Sequence, residues 1–333
     1  MNRLNEAVAA GRLNLGSRLV MPPMATAKSS ENGMVTKELC DYYDEKSKGG
    51  YFGLIITEHS YICPEGKASA GQLSVAEDSA IDGLKRLTRV IHQNGSKVMA
   101  QLNHAGGNTS LAITGHPPLS ASATAFFRAK NDGVPPREMD ENDIQKVIDA
   151  FCAASLRAKA AGFDGVEIHA AHGYLLNQFF SPLINHREDR YSGKTPEGRT
   201  RLILEILQAV RRAVGEDFPL AVRLGACDYT PGGTTIADSV WAAAAFEKAG
   251  IDLLDISGGM CGWRNPLSSE PGYFSEITEV IKQKVSTPVI LTGGITDAAE
   301  ANDLLAAGKA DLIGVGRAVL NDSLWAKKAF SAQ

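Results

Sequence analysis

Short apolar runs rich in Val, Ile and Leu recur at residues 19–24, 54–62, 97–104, 165–170, 220–225, 253–259, 288–294 and 312–317. Most lack the polar/apolar alternation of a half-exposed strand, so the pattern predicts strands buried on both faces. Between them lie segments whose apolar positions return every three or four residues, at 81–94, 144–161, 199–214, 236–249 and 298–307. That period predicts amphipathic helices. Gly95, Gly162, Gly250 and Gly308 follow four of them, where a left-handed residue closes a helix C-terminus.

Buried strands alternating with helices over some 300 residues predict an α/β fold of the (β/α)8 TIM-barrel type, whose usual size is about 250 residues before insertions. A doubly wound sheet is the competing arrangement, but no G-x-G-x-x-G follows the first strand, which runs instead into MPPMAT at 21–26. No low-complexity linker or charge block divides the chain, so residues 1–333 are expected to form one domain. The longest irregular stretch, about 105–140, carries Pro117, Pro118, Pro135 and Pro136 and follows strand three. In a barrel that loop emerges at the catalytic face and is expected to act as a lid.

The formal net charge of -4 argues against nucleic acid or an anionic membrane as partner and favours a small molecule. Cys40, Cys63, Cys152, Cys227 and Cys261 are widely spaced with no C-x-x-C pair. Neither a disulfide framework nor a zinc or iron–sulfur site is expected. With no apolar run of signal-peptide or membrane-span length, the expected location is cytoplasmic.

Barrel active sites are built at the C-terminal ends of the strands, so polar residues ending an apolar run carry the functional weight. TGGI at 292–295 and GVGR at 314–317 close the last two strands. There, backbone N–H groups of Gly293, Gly294, Gly316 and Arg317 are candidates to hold a phosphate, the plainer alternative being tight turns. VEIHAAHGY at 166–174 ends strand four with His169, His172 and Tyr174. Two imidazoles three residues apart allow a metal pair, but no acidic or Cys ligand stands beside them at helical spacing, so no metal is expected. Neutral imidazoles also donate well to an oxygen that is gaining negative charge. Gln101 and Arg223 end strands three and five, where an amide and a guanidinium face a planar heterocycle or simply make buried polar pairs.

With these residues in view, the chain resembles the flavin-dependent Old Yellow Enzyme family, in particular its shorter bacterial, YqjM-like ene-reductases. The likeness runs from about residue 13 to 324. It rests on VEIHAAHGYLLNQFFSPLINHREDRYSG (166–193), AQLNHAGG (100–107) and GKADLIGVGR (308–317). The resemblance implies FMN across the barrel mouth, its ring over Pro23, Met24 and Ala25, with His59 nearby. It further implies Gln101 at the pyrimidine edge, Arg223 near N1 and the C2 carbonyl, and the two glycine-bearing turns at the phosphate. NADPH or NADH is the implied reductant, an electron-poor alkene the substrate, and a homo-oligomer the assembly. In the implied reaction His169 and His172 hold the carbonyl or nitro oxygen, hydride reaches the β-carbon, and Tyr174 protonates the α-carbon.

The chain also departs from that pattern. Ala25 and Ala27 stand where these relatives often place Cys and Tyr, and His59 where they usually have a small residue. The usual Y-G-G reads Tyr191-Ser192-Gly193, and Gly198 replaces an Asn. The Cys cluster and further domains of the iron–sulfur relatives, and the C-terminal Arg some relatives lend a neighbour, are not expected. After strand six, Trp263, Arg264 and Tyr273 are candidate substrate-facing residues. Two other readings stay open. One is a flavin-free aldolase or isomerase on a phosphorylated substrate, the other a non-catalytic flavin-binding barrel.

Overall fold

The structure is a computed structural model that describes residues 3–124 and 134–331. Its frame is a closed barrel of eight parallel strands: β1 Leu19–Met21, β2 Leu54–Ile56, β3 Lys97–Asn103, β4 Gly165–Ala170, β5 Leu220–Gly225, β6 Leu253–Ser257, β7 Val289–Thr292 and β8 Leu312–Gly314. Neighbours in sequence are neighbours in space. β8 pairs back onto β1 through Gly314↔Val20, and β2 pairs with β3 through Ile55↔Val98, so no edge is left open.

Helices α1 Lys37–Ser47, α2 Ile81–Gln93, α3 Glu141–Ala160, α4 Pro196–Val214, α5 Ile236–Lys248, α6 Ser275–Lys282, α7 Ala298–Ala306, α8 Arg317–Asn321 and α9 Trp325–Ser331 surround it. Their starts are written locally. Asp140 with Asp143, Thr235 with Asp238 and Asp297 with Glu300 form reciprocal capping boxes, and Thr195 caps α4 just before Pro196. The four expected glycine stops all take left-handed backbone. The periodic segments do not include α1, α6, α8 or α9; the last three are eight residues or shorter, too short for a clear repeat.

Strand parity explains why the runs are unbroken by polar alternation. Outward residues such as Val98, Ile168 and Val222 join the core beneath the helices, while Val20, Leu54, Ile56, Met99, Ala221, Leu253, Ile290 and Leu312 pack within the barrel. A two-stranded antiparallel hairpin, Val8–Ala10 with Leu13–Leu15, adds Ala10, Leu13 and Leu15 to that inner cluster. It plugs the N-terminal end and leaves the other end for chemistry.

Two sequence expectations change in detail. The second run does not stay in the barrel: after Ile56 the chain turns out at Thr57–His59, and Ser60–Tyr61 pairs instead with Leu102–Asn103 of β3. The expected lid falls partly on residues 125–133, outside the described residues. On either side, Leu119–Ser120 pairs in parallel with Arg137–Glu138, and Ser120 donates to Gln178 at 3.0 Å. Among the described residues of that segment, Asn108 lines the cavity below.

Because the hairpin seals the inner core, Leu13→Ala is expected to cost about 2–5 kcal/mol of stability, read by urea unfolding. A change below 0.5 kcal/mol would show that the plug carries no packing energy.

Candidate functional site

At the C-terminal ends of the strands lies a cavity of about 580 Å³. Pro22, Pro23, Met24 and Ala25 after β1 form one wall, with His59 from β2, Arg223 from β5 and Ser257 from β6 beside them. Gly293, Gly294, Gly316 and Arg317 close the side formed by β7 and β8.

The β4 end supplies the imidazoles. Glu167 and His169 point inward by strand parity, and the backbone then turns through His172, whose φ of 60° is left-handed and strained for a residue with a β-carbon. The turn sets the His169 and His172 rings 5.0 Å apart, edge to face, and the Tyr174 ring 5.2 Å from His169. His172 Nε2 lies 2.7 Å from the Ser257 hydroxyl, which fixes its ring. Burial, then the neighbouring His172, Arg223 and His59, hold the His169 pKa well below the usual imidazole range. Its Nδ1 is buried with no protein partner. Burial pushes the Tyr174 phenol up to about 12. The site therefore presents neutral imidazole and neutral phenol at pH 7.

Under the cavity lies a charged layer. Gln101 donates to Glu167 at 2.7 Å, and Arg223 Nε sits 3.1 Å from Asp255 without the alignment of a hydrogen bond. All four side chains are buried. Burial raises the pKa of Glu167, with Asp255 adding to it, and burial also raises that of Asp255, while Arg223 pulls both down. Two carboxyls thus share one guanidinium. A third buried carboxyl, Glu58, is pushed up to about 7 by burial despite accepting from the Thr26 hydroxyl at 2.5 Å.

On the β7–β8 side, φ of 154° at Gly293 and 69° at Gly294 belongs to glycine. A β-carbon at either would meet the Tyr273 ring at 2.6–2.8 Å, so part of the reason for the pair is to admit that ring. Tyr273 in turn donates to the Trp263 carbonyl at 2.8 Å and accepts from Arg317 at 3.4 Å.

These residues fit FMN, the cofactor expected from the sequence. Among the described residues, the N–H groups of Gly294, Gly316 and Arg317 donate to no protein acceptor, as a phosphate cradle requires. Arg223 Nε, Glu167 Oε2 and His169 Nδ1 are buried without hydrogen bonds, which is costly unless a ligand completes them. Of the sequence candidates, Gln101 and His169 lie behind the cavity wall rather than on it, and Arg264 is exposed and does not line it, whereas Trp263 and Tyr273 do. Sequence reasoning missed the Glu167 and Asp255 pair as a functional layer. The signal was there in carboxyls placed two residues from a strand end inside apolar runs.

Comparison with known proteins agrees with the barrel fold and with a flavin cofactor. Residues 4–332 match the model of the NADH:flavin oxidoreductase / NADH oxidase family. A Bacillus subtilis NADPH dehydrogenase is 38% identical over 95% of the chain and 91% of its own length. A Thermoanaerobacter brockii NADH oxidase is 39% identical over 96% of the chain but only 49% of its own length; the chain spans about half of that relative, and also about half of a Desulforamulus reducens metal reductase. Among solved structures, a 2-naphthoyl-CoA reductase complex superposes with a TM-score of 0.92 at 26% identity, over 99% of the chain and 52% of that one. Morphinone reductase in complex with tetrahydroNAD gives 0.85 at 25% identity, over 98% of the chain and 90% of that one.

The buried carboxyl layer gives a pH signature. Because the folded-state pKa of Glu167 is raised, its contribution to stability is complete below the unfolded value of about 4.3 and is lost as pH rises through the folded value. Glu167→Gln keeps an acceptor for Gln101 and removes the titration. The melting temperature of the variant is expected to gain on the parent from pH 5 to about pH 8 and to level off above it; a constant difference would mean the carboxyl does not titrate in that range.

Proposed function

Because the chain belongs to the NADH:flavin oxidoreductase / NADH oxidase family, we propose that it is an FMN-dependent ene-reductase that uses NAD(P)H to saturate an alkene conjugated to a carbonyl or nitro group. When bound, FMN would supply the two-electron redox chemistry by which NAD(P)H saturates the alkene. The chain's own residues do the rest. His169 and His172, set 5.0 Å apart, donate to the oxygen on which negative charge builds; burial keeps the His169 imidazole neutral, so its donor brings no counter-charge. Tyr174, its phenol kept protonated by burial, gives its proton to the α-carbon. Arg223, on the cavity lining, would place a cation beside the bound cofactor.

One observation carries the reading: two imidazoles and a phenol converge within about 5 Å at one strand end, His172 and Tyr174 on the cavity lining and His169 immediately behind it with its Nδ1 unpartnered, beside N–H groups that donate to no protein acceptor. The aldolase or isomerase alternative needs a Schiff-base lysine or an acid/base carboxylate facing the substrate, and the cavity lining contains no lysine among the described residues. The relatives named as NADH oxidase or metal reductase keep a second reading in view, with dioxygen or a metal ion as the electron acceptor.

An anaerobic titration separates these. NADPH is expected to bleach the yellow protein, and 2-cyclohexenone to restore the colour with formation of cyclohexanone. His169→Ala should lower the enone step about 10²–10³-fold, and Tyr174→Phe about 10²–10⁴-fold, both with the colour retained. Colour restored by oxygen but never by enones would end the ene-reductase reading.

A further inference from the structure

His59 departs from the small residue that the resemblance puts at this position, and the structure gives it a defined chemistry. It lies where the chain leaves the barrel after β2, partly exposed, with its open side lining the cavity. Its ring is 5.3 Å from Tyr174 and 6.3 Å from His169, so it extends the line of rings that begins at His172.

The partner on its far side is Gln72, itself buried. Gln72 Oε1 accepts from the Ala68 N–H at 2.6 Å, which turns the amide nitrogen toward His59. That nitrogen donates to the His59 carbonyl at 3.1 Å and lies 2.6 Å from His59 Nδ1. An amide nitrogen has only hydrogens to offer, so Nδ1 must present a lone pair and the ring proton must sit on Nε2. Protonating Nδ1 would set donor against donor. Burial and the nearby Arg223 act in the same direction, bringing the His59 pKa down to about 4.

We propose that His59 is a specificity-determining residue whose Nε2–H, locked in place by Gln72, receives a second acceptor on the substrate, distinct from the oxygen held by His169 and His172. The substrates favoured are then alkenes flanked by two acceptors, of which unsaturated 1,4-dicarbonyls are the simplest. Their two oxygens lie on the order of 5 Å apart by covalent geometry, the scale of the 6.3 Å between the His59 and His169 rings. This rests on the ene-reductase reading for the reaction, but its recognition step is measurable without turnover.

The test uses the holoenzyme and two saturated probes, N-methylsuccinimide with two carbonyls and cyclohexanone with one, followed by tryptophan fluorescence, since Trp263 lines the cavity. His59→Phe keeps a ring and removes the donor. It is expected to raise the Kd of N-methylsuccinimide about tenfold, the worth of one hydrogen bond, and that of cyclohexanone less than about twofold. Gln72→Leu keeps the ring and frees its tautomer, and should give an intermediate loss for the same probe alone. In the parent, 15N-histidine NMR should show His59 neutral with its proton on Nε2 from pH 5 to 8. The proposal is overturned if both probes weaken equally, if the parent does not prefer the two-carbonyl probe, or if the proton sits on Nδ1. The last two readings need no variant to fold. Absence of enone turnover alongside an intact binding preference would fault the reaction and leave His59 in its role.

Discussion

The Arg223 guanidinium, buried inside the barrel between Asp255 and the Gln101–Glu167 pair, is the constraint around which the active end is built. A closed cylinder of eight strands turns every second side chain toward its axis, where water cannot follow. Lower down those positions are Val, Leu, Ile, Met and Ala, and dispersion fills the space. One layer higher they are charged, and charges in such a place must be paired or neutralised. Two carboxyls and one guanidinium meet that demand only if a carboxyl keeps its proton or a ligand completes the layer. The cofactor's floor is thus an electrostatic platform whose polarity is completed from above.

Above it, neutrality becomes the working principle. The same burial that raises the carboxyls lowers His169 and His59 and raises Tyr174, so these three groups at the cavity are uncharged at ordinary pH, in contrast to the Arg223 and Arg317 guanidinium groups that line it. A neutral donor costs less to bury than a charged one and still stabilises charge that develops during reaction. The left-handed His172 stores strain in the turn that aims these rings, a conformation that the surrounding helices and Ser257 hold in place.

The departures from the family pattern have local physical reasons. Gly198, where an Asn was expected from the resemblance, packs so closely on Ser192 that a β-carbon would come within 2.3 Å of its carbonyl oxygen. In Tyr191-Ser192-Gly193, a β-carbon on Gly193 would come closer still, 1.8 Å from the Asn185 carbonyl oxygen. The loop is closed around these small residues and anchored by Asn185, which donates to both the Phe179 and Tyr191 carbonyls. Gly71, whose β-carbon would come within 3.0 Å of the Ala27 carbonyl oxygen, lets the segment that leads to Gln72, the partner of His59, pass close to the left-handed backbone of Ala27.

Much of this was legible in the chain itself. Unalternating runs of Val, Ile and Leu can only be strands covered on both sides, and glycine stops with capping boxes punctuate the helices between them. Strand ends therefore marked His169, His172, Tyr174, Arg223 and the two glycine-bearing turns, because parity and chain direction are local properties. Tertiary structure alone decided which of these meet. It set Gln101 and His169 behind the wall, left Arg264 outside, gave Tyr273 the space over Gly293 and Gly294, and paired His59 with Gln72 across an excursion from the barrel. It also set the protonation of the buried groups, since burial and through-space charge depend on neighbours that lie far apart along the chain.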